Sequence, residues 1–402
     1  MNVTLLPRQL SGKIAAISSK SCAHRLLICA ALADDTSFIH CRDLNRDIEA
    51  TVQCLQAMGA KITRENEWFR IVPIHAKANA QLDCGESGST LRFLLPVLCA
   101  LGMNADIQMH GRLPQRPLEP LWSALQAHGA ILKKPSEDVV SVSGSLCGRD
   151  YTLAANVSSQ YISGLLFALP LLGGGTIRLT GKAESVGYIT MTRDALAAFG
   201  IKTEMTADTI VVSAGPYHTP GRIEVEGDWS NAAFWLTADY LSEKNVECAG
   251  LRADSAQGDR AIIPALRAIH SGEAVIDAGQ IPDLVPILAV AAALTPGTTQ
   301  IVNAGRLRLK ESDRLQTVTD LLTVLGGDVT QTADGLIIRG KKQLRGGTAN
   351  SFGDHRIAMS AAIASIGCRE PVTIVGAEAV EKSYPGFFRD LAALGGCIKE
   401  EA

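Results

Sequence analysis

The sequence is poor in the features that nucleic-acid-binding proteins use. Aromatic residues make up only 5% of its 402 residues, and 38 basic against 41 acidic residues leave a net charge of −3. Binding of nucleic acid usually needs a basic field for the phosphates, and single strands need aromatic rings on which the bases stack. We therefore expect no nucleic-acid partner.

The chain also lacks the patterns of membrane, secreted and metal-binding proteins. No window approaches the ~18 to 20 apolar residues of a bilayer-spanning helix, and the best candidate, 284–294, contains Pro286. The N-terminus lacks the basic-then-apolar order of a signal peptide. The ten cysteines are scattered singly, and no HExxH or histidine pair has metal-ligand spacing. These absences predict a cytoplasmic protein with reduced thiols, no metal and no membrane contact.

What the sequence does have is an internal repeat. An amphipathic helix that ends in glycine and runs into a strand has five clear copies, 70, 71, 126 and 69 residues apart, and a degraded sixth copy in the long interval. A glycine suits these positions because a helix C-terminus often needs left-handed backbone. The terminal glycines are Gly59, Gly129, Gly200, Gly272, Gly326 and Gly395.

A second kind of helix precedes each of these. It opens with small polar or charged residues and is then apolar on nearly every face, so it must be buried. The six copies are SKSCAHRLLICAALA, ESGSTLRFLLPVLCALG, SSQYISGLLFALPLLGG, DWSNAAFWLTADYL, PDLVPILAVAAAL and DHRIAMSAAIASIG.

These patterns predict an α/β protein, an α+β repeat of six βαβαβ-type units at a period near 70 residues. The apolar content of 47% is ample for two large cores. We expect two similar domains of three units each, 14–223 and 224–402, with a long first strand, 1–13, closing onto the second. The active site is expected in the cleft between them. A doubly wound α/β sheet also alternates strands and helices, but six buried helices with matching polar openings fit it poorly.

Basic residues open several buried helices, where free N–H groups already carry partial positive charge. Lys20 and Arg25 open the first, His355 and Arg356 open the sixth, and Arg92 lies near the start of the second. Cations at a positive pole are favourable when an anion binds between them. The alternative for Arg25 and Arg92 is a structural pairing with carboxylates on neighbouring loops, and for Arg92 this interpretation is equally good.

Further basic residues stand in loops: Arg116 in GRLPQRP, Lys310 and Arg314 in RLKESDRL, and Lys382 in EKSYPG. Prolines stiffen the first and last of these loops. Lys310 and Arg314 are four residues apart, so a helix would bring both to one face beside Glu311. That spacing is also typical of a solvated, salt-bridging helix start.

Uncharged and acidic residues complete the pattern. Ser158, Ser159 and Gln160 open the third buried helix; one serine is an ordinary N-cap, but three hydrogen-bonding side chains indicate a ligand. Asp283 opens the fifth, as an N-cap or as a base that faces a substrate hydroxyl.

Glycine-rich signals are weak. GESGSTLR matches neither the phosphate-binding P-loop nor the GxSxG nucleophile motif, although Gly88 permits close backbone approach. The residues predict an enzyme that acts on multiply anionic substrates without ATP, metal or redox cofactor.

Ten motifs, in order, resemble the enolpyruvyl transferase family, in particular its 5-enolpyruvylshikimate-3-phosphate synthases, over essentially the whole chain. The family fold is an inverse barrel of two domains, each of three repeated units with buried helices. The motifs are SKSCAHR, GESGSTLR, GRLPQRP, VSSQY, ESVGYI, EGDWSNAAFWL, IPDLVP, LKESDRL, GDHRIAMS and EKSYPGFF.

The resemblance implies a 3-phosphoshikimate 1-carboxyvinyltransferase of the shikimate pathway, which leads to chorismate and the aromatic amino acids. Such enzymes transfer the enolpyruvyl group of phosphoenolpyruvate to the 5-hydroxyl of shikimate 3-phosphate and release phosphate, by addition and elimination through a tetrahedral intermediate. The resemblance also implies no cofactor, a monomer, and competition by the inhibitor glyphosate.

Roles for individual residues come with the resemblance. Asp283 would take the hydroxyl proton, Glu311 would protonate the methylene carbon and later remove a proton, and Lys20 would assist. The residues implied to hold shikimate 3-phosphate are Lys20, Ser21, Arg25, Ser158, Ser159, Gln160, Ser185, Asp283 and Lys310. Those implied to hold phosphoenolpyruvate are Lys20, Gly88, Arg116, Gln160, Arg314, Arg356 and Lys382.

The sequence departs from the family pattern at three places. Glu86 stands where Asn is common, Ser89 where Thr is frequent, and Arg306 where Asn is frequent. We predict that Glu86 pairs with a nearby arginine and alters the affinity for phosphoenolpyruvate.

Two alternatives stay open. The UDP-N-acetylglucosamine enolpyruvyl transferases share the fold and the donor, but they usually open with Lys-Asn and carry a Cys in the loop equivalent to GRLPQRP. This chain has Lys20 followed by Ser21, and no Cys in that loop. A non-catalytic anion-binding paralogue would be expected to lack Asp283 or Glu311, and both are present.

Overall fold

The chain divides into two compact units, each with its own hydrophobic core. The computed structural model describes residues 1–75, 77–243 and 245–401. One unit, called here the first-and-last unit, comprises Met1–Ile17 and Gly227–Ala402, and the other, the middle unit, comprises Ser18–Glu226.

Twelve α-helices lie in the described residues, and they alternate between the two kinds predicted from the sequence. The odd-numbered helices are the apolar ones and the even-numbered helices are the amphipathic ones. They are α1 (Lys20–Leu32), α2 (Arg46–Met58), α3 (Gly88–Ala100), α4 (Leu121–Ala127), α5 (Ser159–Ala168), α6 (Val186–Ala198), α7 (Trp229–Leu241), α8 (Ile262–His270), α9 (Val285–Ala293), α10 (Arg314–Val324), α11 (His355–Ala364) and α12 (Phe387–Ala393).

The strands of the described chain are short. They are β1 (Asn2–Leu6), β2 (Gly12–Ala15), β3 (Ser37–His40), β4 (Lys61–Glu65), β5 (Trp68–Val72), β6 (Asn79–Asp83), β7 (Asn104–Gln108), β8 (Ala130–Ser136), β9 (Val139–Gly144), β10 (Asp150–Ala154), β11 (Gly175–Thr180), β12 (Thr203–Met205), β13 (Thr209–Val212), β14 (Arg222–Glu224), β15 (Val246–Ala249), β16 (Glu273–Asp277), β17 (Gly297–Val302), β18 (Asp328–Gln331), β19 (Leu336–Gly340), β20 (Gly347–Asn350), β21 (Val372–Val375) and β22 (Cys397–Glu401).

Five of the sheets share one four-stranded plan, a parallel pair followed by antiparallel neighbours. In β6-β7-β9-β8, for example, Leu82 lies opposite Ile107 in the parallel pair, and Ile107 lies opposite Val140 in the antiparallel pair. The others are β10-β11-β13-β12 and β14-β3-β5-β4 in the middle unit, and β16-β17-β19-β18 and β20-β21-β1-β22 in the first-and-last unit. Each sheet stays separate, and none closes on itself within the described residues.

The fourth repeat is incomplete. Its sheet has only the parallel strands β2 and β15, because the chain after α8 enters β16, which pairs with β17 in the next sheet. Gly272 and Gly326 are therefore only 54 residues apart, against 69 to 72 for the other neighbouring copies. A missing hairpin explains the irregular interval in the sequence.

The helices bear out the repeat pattern. All six helix-ending glycines have positive φ, from 81° at Gly200 to 116° at Gly59, as left-handed helix ends require. Every residue of α9 and of α11 is buried, because neither helix has a polar face to give to water. None of the helices in the described residues is long and apolar enough to cross a membrane.

The N-terminal segment differs from the single long strand expected over 1–13. It forms two strands, β1 and β2, because Pro7 follows β1 and has no N–H to continue a ladder. β1 pairs antiparallel with both β21 and β22, and β2 pairs with β15. All of these partners belong to the first-and-last unit.

Candidate active site

Side-chain caps fix the starts of three buried helices in the middle unit. Ser19, Ser87 and Ser158 each accept a hydrogen bond of 3.3 Å from a backbone N–H in the first turn of α1, α3 and α5. Such caps determine where a helix begins. They therefore also place the predicted ligand residues of those first turns, which are Lys20, Ser21, Gly88, Ser159 and Gln160.

Arg25, one turn into α1, is a buried cation among neutral partners. Its guanidinium donates to the Thr192 hydroxyl (2.8 Å) and to the backbone oxygens of Ser21 (2.6 Å) and Tyr188 (2.9 Å). It also lies 5.0 Å from the centre of the Phe93 ring. Burial lowers its pKa to about 10. No carboxylate of the described residues forms an ion pair with it, so an anionic ligand would improve its electrostatic environment.

Lys20, in contrast, has an acidic partner. Its Nζ lies 2.8 Å from Oδ2 of Asp47, which stands in the first turn of α2. Both side chains are largely buried, at 17% and 8% exposure. Asp47 was not among the residues singled out from the sequence, because a first-turn aspartate is an ordinary helix feature.

Gly88, Arg92, Arg116 and Gln160 come together at the start of α3. A Cβ on Gly88 would lie 2.6 Å from Nη1 of Arg92 and 2.9 Å from Nη1 of Arg116. Arg92 Nη1 donates to Gln160 Oε1 (2.9 Å), and Gln160 Nε2 donates to the Ser89 hydroxyl (2.9 Å). Arg92 thus contacts a predicted ligand residue, Gln160.

Ser185 stands at the start of α6 with left-handed backbone, φ 53°. Its side chain does not cap the helix, and the residue is buried. Non-glycine residues rarely adopt this conformation, and it concentrates at functional positions. The first turn of α6 carries Tyr188, whose carbonyl accepts from Arg25.

The first-and-last unit holds a second cluster, centred on Asp283. Asp283 Oδ1 lies 2.8 Å from Nη1 of Arg314 and 3.4 Å from Nζ of Lys310, and Oδ2 lies 3.7 Å from Nη2 of Arg356. Burial opposes ionisation of Asp283, but Lys310, Arg356 and Arg314 outweigh it and hold the pKa of this carboxyl well below its usual range.

Arg314, the first residue of α10, joins three carboxylates. Besides Asp283, its guanidinium contacts Glu311 Oε2 (2.8 Å) and Asp354 Oδ2 (2.8 Å), and its side chain is only 1% exposed. Burial disfavours its charge, but Asp354, Glu311 and Asp283 keep its pKa above the ordinary value. The two carboxylates to which proton transfer was assigned, Asp283 and Glu311, therefore share one guanidinium.

Arg356 in α11 is held from two sides. Its Nη1 donates to the Asp283 carbonyl (3.0 Å) and its Nη2 donates to the Ser230 hydroxyl at the start of α7 (2.6 Å). Ser230 also hydrogen-bonds Asp259, a buried carboxyl. Burial first, and then the charge of Asp283, raise the pKa of Asp259 to about 6.

Two more basic residues named from the sequence are buried in this unit. Lys382 ends the 3-10 turn Ala377–Lys382, and the neighbouring Ser383 hydroxyl donates to Asn231 Oδ1 in the first turn of α7 (3.5 Å). His355 Nδ1 lies 3.8 Å from Asp354 Oδ1. In the described residues, no group of His, Cys, Asp and Glu is arranged to hold a metal ion.

The structure corrects two interpretations. Asp283 does not cap α9; it lies in the 3-10 turn Pro282–Leu284, and its carboxylate faces cations. Lys310 and Arg314 do not share a helix face, because α10 begins at Arg314. Tertiary packing brings both side chains into contact with Asp283. Sequence reasoning missed Ser230, Asp259 and Asp354, although Ser230 lies in the quoted motif EGDWSNAAFWL and Asp354 in GDHRIAMS.

Comparison with known proteins gives one consistent result. The family model for EPSP synthase (3-phosphoshikimate 1-carboxyvinyltransferase) matches residues 6–391. The chain belongs to this family. A 3-phosphoshikimate 1-carboxyvinyltransferase from Clostridium acetobutylicum is 42% identical over 421 positions, covering 99% of this chain and 98% of the relative. One from Clostridium kluyveri is 40% identical over 424 positions, with the same coverage.

Among solved structures, an EPSP synthase from Acinetobacter baumannii is similar, with a TM-score of 0.82 and 26% sequence identity. The alignment covers 99% of this chain and all of that one. The predicted fold class, of repeated sheets around buried helices, is thereby confirmed for this EPSP synthase family member.

Proposed function

We propose that the protein transfers the enolpyruvyl group of phosphoenolpyruvate to the 5-hydroxyl of shikimate 3-phosphate and releases phosphate. Family membership supports the reaction. The observation that carries the mechanism is the cluster in which Asp283 and Glu311 share Arg314 while Lys310 also contacts Asp283. It combines two proton-transfer groups with cations for anionic substrates.

Shikimate 3-phosphate is assigned to the helix starts of the middle unit together with Asp283 and Lys310. Arg25 favours an anion because its present partners are neutral. Lys20 and Ser21 lie on the same helix, and Ser185 opens the helix that contacts Arg25. The hydroxyl groups of Ser158 and Ser159 and the amide of Gln160 add uncharged hydrogen bonds at the start of α5.

Phosphoenolpyruvate is assigned to Lys20, Gly88, Arg116 and Gln160 of the middle unit and to Arg314, Arg356 and Lys382 of the other. The lack of a Cβ at Gly88 leaves room directly beside two guanidinium groups. Planar guanidinium groups bind carboxylates and phosphates in a bidentate manner. We add Arg92 to this set, as a residue that holds Gln160.

The chemical steps balance with the two carboxyl groups. Asp283 accepts the proton of the 5-hydroxyl while the hydroxyl oxygen forms a bond to C2 of phosphoenolpyruvate. At the same time, protonated Glu311 gives its proton to the methylene carbon. Phosphate then leaves C2 of the tetrahedral intermediate and takes up the proton that Asp283 had accepted, and Glu311 takes a proton back from the methyl group, so both carboxyl groups return to their starting states. Bound anions weaken the hold of Lys310, Arg314 and Arg356 on Asp283, which raises its basicity when substrates are present.

We also propose that the domains are 14–223 and 1–13 with 224–402, that both contribute to one active site, and that the protein is a cytoplasmic monomer. Metal and nucleotide have no role in the proposed steps.

The test is an assay with shikimate 3-phosphate and phosphoenolpyruvate, without metal or nucleotide, that follows phosphate release and product mass. We expect phosphate and the carboxyvinyl adduct in equal amounts. Turnover with UDP-N-acetylglucosamine instead would mean that the acceptor is wrong. No turnover with either acceptor would favour a protein that binds anions without catalysis.

Replacing Arg25 with methionine should weaken shikimate 3-phosphate binding without destabilising the free protein. The loss of charged hydrogen bonds predicts a 10- to 100-fold rise in KM for shikimate 3-phosphate. Because no ion pair is broken, Tm should stay within a few degrees of the parent. Steady-state kinetics and calorimetry measure both.

The matched control is Arg193→Met, on α6 of the same unit, where the guanidinium contacts Thr203. This variant should keep its KM. An unchanged KM in Arg25→Met would remove Arg25 from the substrate site.

Glu86→Asn should lower KM for phosphoenolpyruvate. The Glu86 carboxyl lies against Gly111, the residue before Arg112 in the loop that carries Arg116, so its charge opposes an anion bound there. Initial rates at varied phosphoenolpyruvate measure the change, and Glu137→Asn, at an exposed position of the same unit, is the control. Equal KM values for phosphoenolpyruvate in Glu86→Asn and parent would contradict the prediction that the Glu86 charge weakens phosphoenolpyruvate binding.

A further inference from the structure

A chain of buried hydrogen bonds links three helices of the middle unit and ends at the start of α3. His24 Nδ1 of α1 lies 2.7 Å from the Thr51 hydroxyl of α2, which lies 2.7 Å from the Thr90 hydroxyl of α3. The Thr90 hydroxyl donates to Ser87 Oγ at 2.7 Å. All four residues are at most 1% exposed.

The direction of the chain follows from proton counting. Each hydroxyl has one proton, and that of Thr90 goes to Ser87, so Thr90 accepts from Thr51 and Thr51 accepts from His24 Nδ1–H. The direction fixes one tautomer of a neutral imidazole. Burial keeps the ring neutral, lowering the pKa of His24 to about 3.

The series of hydrogen bonds has a free-energy cost that side-chain packing alone does not require. His24 Nε2 is buried and has no hydrogen-bond partner among the described residues, and an unsatisfied buried acceptor is unfavourable. A phenylalanine would fill similar space without that cost, next to Phe93, whose ring already packs edge-on at 6.5 Å. What a phenylalanine could not supply is the hydrogen bond to Thr51.

The position of Ser87, the last residue in the series of hydrogen bonds, gives a reason for the histidine. Ser87 caps α3 and is bonded directly to Gly88, beside which Arg92 and Arg116 lie. Ser89, the next residue, accepts from Gln160. A shift of Ser87 would move the backbone at Gly88 and Ser89 relative to these groups.

We propose that His24, Thr51 and Thr90 are positioning residues for phosphoenolpyruvate. Their directional hydrogen bonds hold Ser87 in one orientation and so fix the first turn of α3. None of the three needs to touch substrate. The inference rests on the proposed function for the identity of the ligand, and on contacts within the middle unit for everything else.

Two variants of the full-length protein break the chain differently. Thr51→Val removes the middle hydroxyl at nearly constant shape, and His24→Phe removes the donor together with the unsatisfied acceptor. We expect both to raise KM for phosphoenolpyruvate about tenfold while KM for shikimate 3-phosphate stays within twofold. Thr51→Ser, which keeps the hydroxyl, should restore the parent value.

The control is Thr237→Val on α7, a buried threonine whose hydroxyl has no hydrogen-bond partner in the described residues. It should leave both KM values unchanged. In His24→Phe, Tm should be unchanged or higher, which separates positioning from simple loss of stability. If Thr51→Val and His24→Phe only lower Tm, or shift both KM values equally, the proposal is wrong.

Amide hydrogen exchange tests the same idea without turnover. Thr51→Val should speed exchange in residues 87–92 and leave α7 unaffected, and unchanged exchange in 87–92 would overturn the proposal. A parent protein inactive with both substrates would refute the proposed function, while exchange would still decide whether the chain holds the first turn of α3.

Discussion

Asp283→Asn is expected to lower kcat by about 10²- to 10⁴-fold, the range for losing a general base. The amide cannot accept the hydroxyl proton, and it leaves Lys310, Arg314 and Arg356 with one less negative partner. Substrate anions should then bind as well as before or more tightly. The measurement is kcat by steady-state kinetics together with substrate Kd by calorimetry.

A matched control lies in the same unit. Asp328 forms a solvent-exposed ion pair with Arg339 at 3.4 Å. Asp328→Asn also removes one carboxylate charge, but an exposed ion pair contributes little, so kcat should be unchanged. Full activity in Asp283→Asn would exclude Asp283 as the base. Lost substrate binding together with lost kcat would mean that its role is to build the site.

The largest loss of stability is expected from Arg314→Met. This change leaves Asp283, Glu311 and Asp354 without their shared cation in a buried site, and breaking a buried ion pair from one side costs about 3–5 kcal/mol. Scanning calorimetry at pH 7.5 should show a clearly lower Tm, and activity should be lost as well.

The same variant makes a prediction about pH. Cations hold the pKa of Asp283 well below its usual range, so its contribution to stability is present above about pH 4, the unfolded value, and is lost as pH falls further. The gap in Tm between parent and variant should therefore narrow on acidification below about pH 4. Arg339→Met, at the exposed pair, should cost less than about 1 kcal/mol, and an equal loss in both variants would contradict the analysis.

The repeat was predictable from sequence because its signals are local. A helix that is apolar all round must be buried wherever it lies, and a glycine at a helix end reports on its own backbone. The break of the first strand at Pro7 is also a local signal. It was missed because the residues on both sides of the proline were interpreted as one continuous strand. The missing hairpin of the fourth repeat left a trace in the glycine spacing, although the spacing does not say which strands are absent.

The charge partners were not predictable in the same way. Lys20 and Asp47 are 27 positions apart and Arg314 and Asp354 are 40 apart, and only the packing of different helices brings them together. The same holds for Arg25, whose neutral surroundings include residues of α6 and α3. Residue type and position at a helix start identified the cations, whereas the carboxylates that balance them required tertiary structure.

The position of β1 in its sheet has a consequence for how the protein is made. β1 lies between β21 and β22, so the first strand to leave the ribosome must wait for strands near the other end of the chain. At roughly 5–20 residues per second, that wait is on the order of 20–80 s. The middle unit needs neither terminus and has time to fold first. A chain that is truncated just before β22 would leave one edge of β1 unpaired. We therefore expect chaperones to bind the truncated chain for longer than the full-length chain.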